Sequence, residues 1–174
     1  AEWDPARDRF LARNYSAGKP QGKAANKLAL QRESGLLPDG DVPLIGMVGR
    51  LVAQKGIDLV LDALPGLMHR PLQLVLLGSG EAGYETVLLQ QAARYKDRMA
   101  VRIGYDEGLA HRIEAGADMF LMPSRFEPCG LNQMYALRYG TPPIVRMTGG
   151  LADTVVPYDR ANAAAANGSG LTPP

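Results

Sequence analysis

Cysteine is nearly absent: Cys129 is the single thiol of 174 residues, so no internal disulfide can form and the chain suits a reducing compartment. Histidine is as scarce, and His69 and His111 beside one cysteine supply no metal-ligand spacing. Excess charge is missing too. Nineteen basic against eighteen acidic residues leave a net charge of +1, which offers no field for a nucleic acid or an anionic membrane. No apolar run approaches the roughly 18 residues of a membrane span. The opening AEWDPARDRF lacks both a secretory apolar segment and an initiator Met. These absences lead us to expect a cytoplasmic protein, read here as a processed or excised piece.

What is present is an ordinary globular composition, 46% apolar, at a length that suits one domain with one core. Residues 1–20 are polar and irregular. Helix formers fill 22–34, with Gly35 placed to close that helix. A cycle then repeats. LIGMVG (44–49) is a buried strand, and Ile57, Val60, Leu61, Leu64 and Leu67 follow at helical spacing. LQLVLLG (72–78), MAVRIG (99–104), ADMFLMP (117–123) and PPIV (142–145) read as further strands. Helical patterns over 84–95, 107–116 and 130–140 separate them, and GSGL in the tail is a candidate last strand. Strands alternating with helices over short connections predict an α/β, Rossmann-like doubly wound parallel sheet.

In such sheets ligands bind beyond the carboxyl ends of the strands, so the post-strand turns carry the functional reading. LVLLGSGEAG places Gly78, Gly80 and Gly83 in a G-x-G-x-x-G pattern between strand and helix. It can seat a nucleotide or simply make a tight turn. A dinucleotide site would put this turn after the first strand and an acidic residue at the end of the next, and neither holds. GRLVAQKG offers Arg50 and Lys55, a planar fork and a point charge suited to phosphate oxygens, or two solvated surface cations. GYDE offers Tyr105 as a cover for a base, or as a core side chain. SRFEPCGLNQ is the sharpest. Gly130 and Leu131 are expected to open a helix whose free N–H groups favour an anion. Glu127 just outside can accept from sugar hydroxyls. Cys129 has no histidine with an obvious route to it, which argues against a thiol nucleophile.

These turns, in this order, resemble the C-terminal domain of bacterial glycogen synthases and plant starch synthases. The likeness runs through WDPARDRFLARNYS, GRLVAQKGIDLV, LVLLGSGE, GYDE, PSRFEPCGLNQMYALRYGTPPIV and TGGLADTV (148–155). It implies a two-domain GT-B fold, with residues 1–174 as the nucleotide-sugar domain and 1–20 a lead-in after the interdomain linker. It implies transfer of glucose from ADP-glucose to the non-reducing end of an α-1,4-glucan, with retention and without a cofactor or metal. Arg50 and Lys55 then contact the diphosphate, Tyr105 packs on adenine, and the Gly104 backbone reads the base edge. Glu127 lies by the donor sugar, while the backbone of Cys129, Gly130 and Leu131 holds glucose hydroxyls and phosphate. Gly49, Gly78, Gly80 and Asn132 complete the nucleotide-sugar site, Asn132 standing where some members have Thr. Tyr135 stands where many retaining transferases carry a second Glu, which agrees with the synthase branch.

The family's N-terminal domain, with its K-x-GGL loop, and the closing C-terminal helices are absent from this sequence. The chain alone is therefore expected to bind nucleotide weakly and turn over little. A bacterial cytoplasm, or a plastid if the source is a plant, is the implied location. An NAD-type dinucleotide-binding domain and a non-catalytic glucan-binding module remain as alternatives.

Overall fold

A computed structural model describes residues 2–158, so the candidate strand GSGL lies outside the described residues. The elements run α1 (Gly22–Glu33), β1 (Leu44–Val48), a single 3-10 turn (Ala53–Lys55), α2 (Ile57–Leu67), β2 (Gln73–Gly78) and α3 (Ala82–Arg94). They continue with β3 (Met99–Ile103), α4 (Glu107–Gly116), β4 (Met119–Met122), α5 (Asn132–Arg138), β5 (Pro143–Val145) and α6 (Gly149–Thr154). The five strands among the described residues are all parallel, in the order β3-β2-β1-β4-β5.

The central strands β1, β4 and most of β2 read as apolar runs because both faces of the sheet are covered, whereas the edge strand β3 carries exposed Arg102. Along β2 alternate residues part company. Leu74 and Leu76 join Ile57, Val60, Leu64 and Leu88 beneath α2 and α3. Val75 and Leu77 join Leu30, Ile113 and Phe120 beneath α1 and α4. Gly35, at φ 70°, ends α1 as expected, its N–H and that of Leu36 returning to Arg32 and Gln31 carbonyls. Asp106 starts α4 by accepting the Leu109 N–H at 2.8 Å.

Two expectations change. Helix α5 begins at Asn132, two residues after the predicted start, because Gly130 takes φ 70° and Leu131 is only half-helical at ψ −31°. The opening segment is irregular in backbone but is firmly bound to the body. Trp3 stacks between His111 and Tyr135, with ring centroids 3.6 and 4.2 Å away. Asp8 accepts from Tyr139 Oη at 2.6 Å and pairs with His111 Nδ1 at 2.7 Å. His111, expected on a polar helix, is thus fully buried. Tyr139 and Tyr15 have phenol pKa values raised by burial first, so both stay neutral donors.

Lys23 and Glu114 lie close by. Burial draws the Lys23 ammonium down to about 8, while Nζ donates to Thr141 Oγ1 at 2.6 Å and the Ala115 carbonyl at 3.1 Å. Burial pushes the Glu114 carboxyl well above its ordinary 4.5, with the Lys23 charge opposing. A raised carboxyl pKa stabilises the fold fully below 4.5, and that stability is lost as pH climbs through the folded value. Glu114→Gln is therefore expected to match the parent near pH 4 and to melt progressively higher than it towards pH 8. The gain should be roughly 3 °C for each kcal/mol recovered, read by thermal unfolding across that range. Above pH 8 the depressed Lys23 acts the other way and adds stability up to 10.5.

Candidate functional site

The strand order reverses between β1 and β4, and a crevice opens there beyond their carboxyl ends. One cavity in it is lined by Gly49, Lys55, Ser124, Glu127, Gly130 and Asn132, with Leu131 also on its wall. A second cavity adjoins it over β2 and β3, lined by Gly49, Arg50, Gly78, Gly104, Tyr105 and Asp106. Gly49 is common to both.

Close backbone contact between two turns builds the first cavity. Gly56 has φ 73°, and a Cβ there would lie 2.3 Å from the Pro123 carbonyl oxygen. Only glycine lets the β1–α2 turn press against the β4–α5 turn in this way. The Arg125 N–H donates to the Gln54 carbonyl at 2.9 Å, and Gln54 Nε2 donates to the Phe126 carbonyl at 3.2 Å. The Arg125 guanidinium also pairs with Asp58 and holds that carboxyl below its usual range. These stitches set the Lys55 ammonium against the Glu127 carboxylate as an ion pair.

Glu127 is 7% exposed. Its Oε2 receives both Lys55 Nζ and Ser124 Oγ, the latter at 3.2 Å, whereas Oε1 accepts from nothing among the described residues. The turn holding it is clamped from behind. A Cβ on Gly149 would meet the Glu127 carbonyl oxygen at 2.3 Å, and one on Gly150 the Cys129 carbonyl oxygen at 2.2 Å. The Gly150 N–H donates to the Glu127 carbonyl at 2.9 Å. Fully buried Gln133 donates from Nε2 to the carbonyls of Cys129 and Gly130. Asn132 Nδ2 ties the start of α5 to the Val48 carbonyl at 3.0 Å. The N–H groups of Gly130 and Leu131 have no hydrogen-bond acceptor among the described residues, although they precede the helix and do not open it.

The second cavity differs in character. Tyr105 stands 88% exposed, so packing in the core is not its role. Gly104, at φ 124°, gives its N–H to the Gly78 carbonyl, and its own carbonyl takes no hydrogen bond among the described residues. Arg50 is exposed and makes no ion pair or hydrogen bond among the described residues. Two glycines of the G-x-G-x-x-G pattern have a packing reason. A Cβ at Gly78 would meet the Gly49 carbonyl oxygen at 2.0 Å, and one at Gly80 the Leu51 carbonyl oxygen at 2.3 Å. Gly80 also gives its N–H to Glu85 Oε1 at 2.8 Å. The close approach these glycines permit is to the neighbouring loop, and Gly80 lies outside both cavity linings.

Cys129 is exposed at the rim with neither histidine beside it. His69 Nδ1 faces the Pro65 carbonyl at the end of α2, and His111 is held by Asp8 under Trp3. Among the described residues no group of acids, histidines or cysteines is arranged to hold a metal, and no helix is long and apolar enough to cross a membrane. Sequence reasoning brought Arg50, Lys55, Tyr105 and Glu127 to one end of the sheet. It missed Ser124 and the supporting glycines 56, 149 and 150, whose visible signals were the KG and TGG pairs.

A parallel sheet whose strand order turns at such a crevice is a Rossmann-like domain, and its likeness to known proteins makes it the kind that forms the C-terminal half of a GT-B glycosyltransferase. The model for glycosyl transferases group 1 matches residues 31–169, and the chain belongs to that family, in its glycogen and starch synthase branch. It is 64% identical over 157 residues to the glycogen synthase of Anaeromyxobacter dehalogenans strain 2CP-1, covering 90% of this chain and 33% of that protein. It is 64% identical over 153 residues to the glycogen synthase of Aromatoleum aromaticum, covering 88% and 31%. The structure of the catalytic domain of starch synthase IV from Arabidopsis thaliana, bound to ADP and acarbose, superposes with a TM-score of 0.89 at 40% identity. That superposition covers 98% of this chain and 36% of the other. The chain thus spans about a third of the length of the curated relatives it matches.

Proposed function

We propose that this chain is the donor-binding domain of a retaining glucosyltransferase that moves glucose from ADP-glucose to the non-reducing end of an α-1,4-glucan. The observation carrying this reading is the meeting of Lys55 and Glu127 at the switch point, with Arg50 and Tyr105 around the adjoining cavity. Tyr105 covers the adenine and the Gly104 carbonyl meets its edge. Arg50 and Lys55 face the diphosphate, and the N–H groups of Gly130 and Leu131 add neutral donors to it. Glu127 Oε1 accepts from glucose hydroxyls.

In the reaction the bond from the anomeric carbon to the diphosphate oxygen breaks. A bond to the acceptor's 4-hydroxyl oxygen forms on the same face, and the hydroxyl proton leaves to the departing diphosphate. The oxocarbenium-like transition state leaves negative charge on ADP, where Arg50 and Lys55 stabilise it. These cations and backbone donors do the neutralising, so the reading assigns no metal and no cofactor.

We infer one Rossmann-like domain over residues 1–174, completed in the whole enzyme by a second domain that brings the glucan and covers the mouth. Leu131 on the cavity wall and Phe126, next in sequence to Glu127, are exposed, and this apolar edge suits such a cover. We place the protein in a reducing cytosol on account of its lone thiol.

Calorimetry with ADP and UDP tests the reading. Tyr105→Ala is expected to weaken ADP by about 5- to 100-fold, the worth of one base stacked on an aromatic ring. The unfolding midpoint should stay fixed, because the ring is exposed. Equal ADP affinity in parent and variant would refute the assignment. Oligosaccharide binding that ignores ADP would mark a non-catalytic glucan module instead.

A further inference from the structure

The Lys55–Glu127 pair raises a question the transfer reaction alone does not answer. A cation that serves a diphosphate would act most strongly if it stood unpaired, yet here a buried carboxylate already engages it. That carboxylate lines the same cavity as Gly130 and Leu131, where the terminal phosphate rests on the reading above. A fixed anion beside an anion-binding surface costs affinity unless it does something else.

Free ADP and ADP-glucose differ at this point. An unesterified terminal phosphate carries about −1.5 to −2 charges near pH 7. Once capped by the sugar it is a diester with one charge, and it presents hydroxyl donors. Glu127 Oε1 is an acceptor with no partner among the described residues, whereas Oε2 is committed to Lys55 and Ser124. One oxygen is therefore open to a sugar hydroxyl, while the whole charge opposes a second negative charge on the phosphate. At an effective dielectric constant of about 20, a like charge some 4 Å away is felt strongly, because little water screens it inside the crevice.

We propose that Glu127 is a specificity-determining residue that selects the sugar-capped diphosphate over the free nucleoside diphosphate, and so expels the product. The inference rests on the donor-site reading and adds a direction to it. As the bond to the anomeric carbon breaks, the phosphate gains charge and loses its hydroxyl donors together. The carboxylate that held the donor now repels what remains, and Lys55 returns to Glu127.

The test compares AMP, ADP and ADP-glucose by calorimetry on the full chain and its Glu127→Gln variant. The amide keeps the side chain's shape and removes its charge. ADP is expected to bind about tenfold tighter to the variant. AMP, which lacks the terminal phosphate, should move by less than about twofold, and ADP-glucose should not tighten. Glu127→Ala, which leaves space in place of an amide, should show the same order of effects and serves if the amide variant fails to fold. Weaker ADP binding by both variants, or equal tightening of all three ligands, would overturn the proposal. A parent chain that binds ADP no better than Lys55→Ala would instead overturn the donor-site reading beneath it.

Discussion

On the proposed donor-site reading, Lys55→Ala in the full-length protein is expected to slow glucose transfer by about 10²- to 10³-fold, the usual cost of one charge-stabilising group in an acyl- or phosphate-type site. Both kcat and kcat/KM should fall, because the ammonium matters most as charge builds on the departing diphosphate. ADP should bind about tenfold or more weakly, as a lost charge-assisted contact of 1.5–3 kcal/mol predicts. Stability should change much less. Glu127 keeps its hydrogen bond from Ser124, and its other oxygen faces the crevice. The measurements are steady-state transfer, ADP calorimetry and a melting curve on the same preparation. Parallel losses in all three would mean that the lysine merely holds the two turns together.

Asp8→Ala should be the most destabilising of the single substitutions considered, at about 3–5 kcal/mol, because it breaks a buried pair and strands its partners. One carboxylate there takes the Tyr139 hydroxyl, the His111 ring nitrogen and, through Oδ1, the Phe10 N–H at 2.9 Å. Tyr139 and His111 are both fully buried, so neither can turn to solvent for replacement. In a domain of this size the loss is worth roughly 10 °C in the unfolding midpoint. Susceptibility to proteolysis in the first twenty residues should rise with it. A variant melting within 2–3 °C of the parent would show that the opening segment is only loosely attached.

The sheet was legible because a strand covered on both faces is a near-continuous apolar run, as β1 is throughout and β2 is after Gln73. The end of the sheet that binds ligands followed from topology, which turned isolated motifs such as Arg50 with Lys55 into a constellation. What sequence could not supply were the partners. Glu127 lies 72 residues from Lys55, and Asp8 lies 131 from Tyr139. No local pattern announces either pair, so the opening segment looked like a polar lead-in. Gly78 and Gly80 fit a phosphate fingerprint, and their missing side chains also make room for Gly49 and Leu51. Gly150, which touches the Cys129 carbonyl from behind, does more to fix the carboxylate's turn. The start of α5 was misplaced because Gly130 could as well open a helix as precede one, and its φ of 70° is not written in the sequence.

The all-parallel strand order has a consequence during synthesis. β1 is the central strand, with β2 on one side and β4 on the other. Its second neighbour is made late, since Ile45 pairs with Met119. At about 5–20 residues per second the ribosome takes roughly 4–15 s to supply that partner. For that interval the apolar stretch LIGMV has one open edge. The opening segment waits longer still, because the tyrosine that receives Asp8 follows β4. Folding of this domain is thus governed by its last third, and a nascent chain stalled before residue 119 is a natural client for a chaperone.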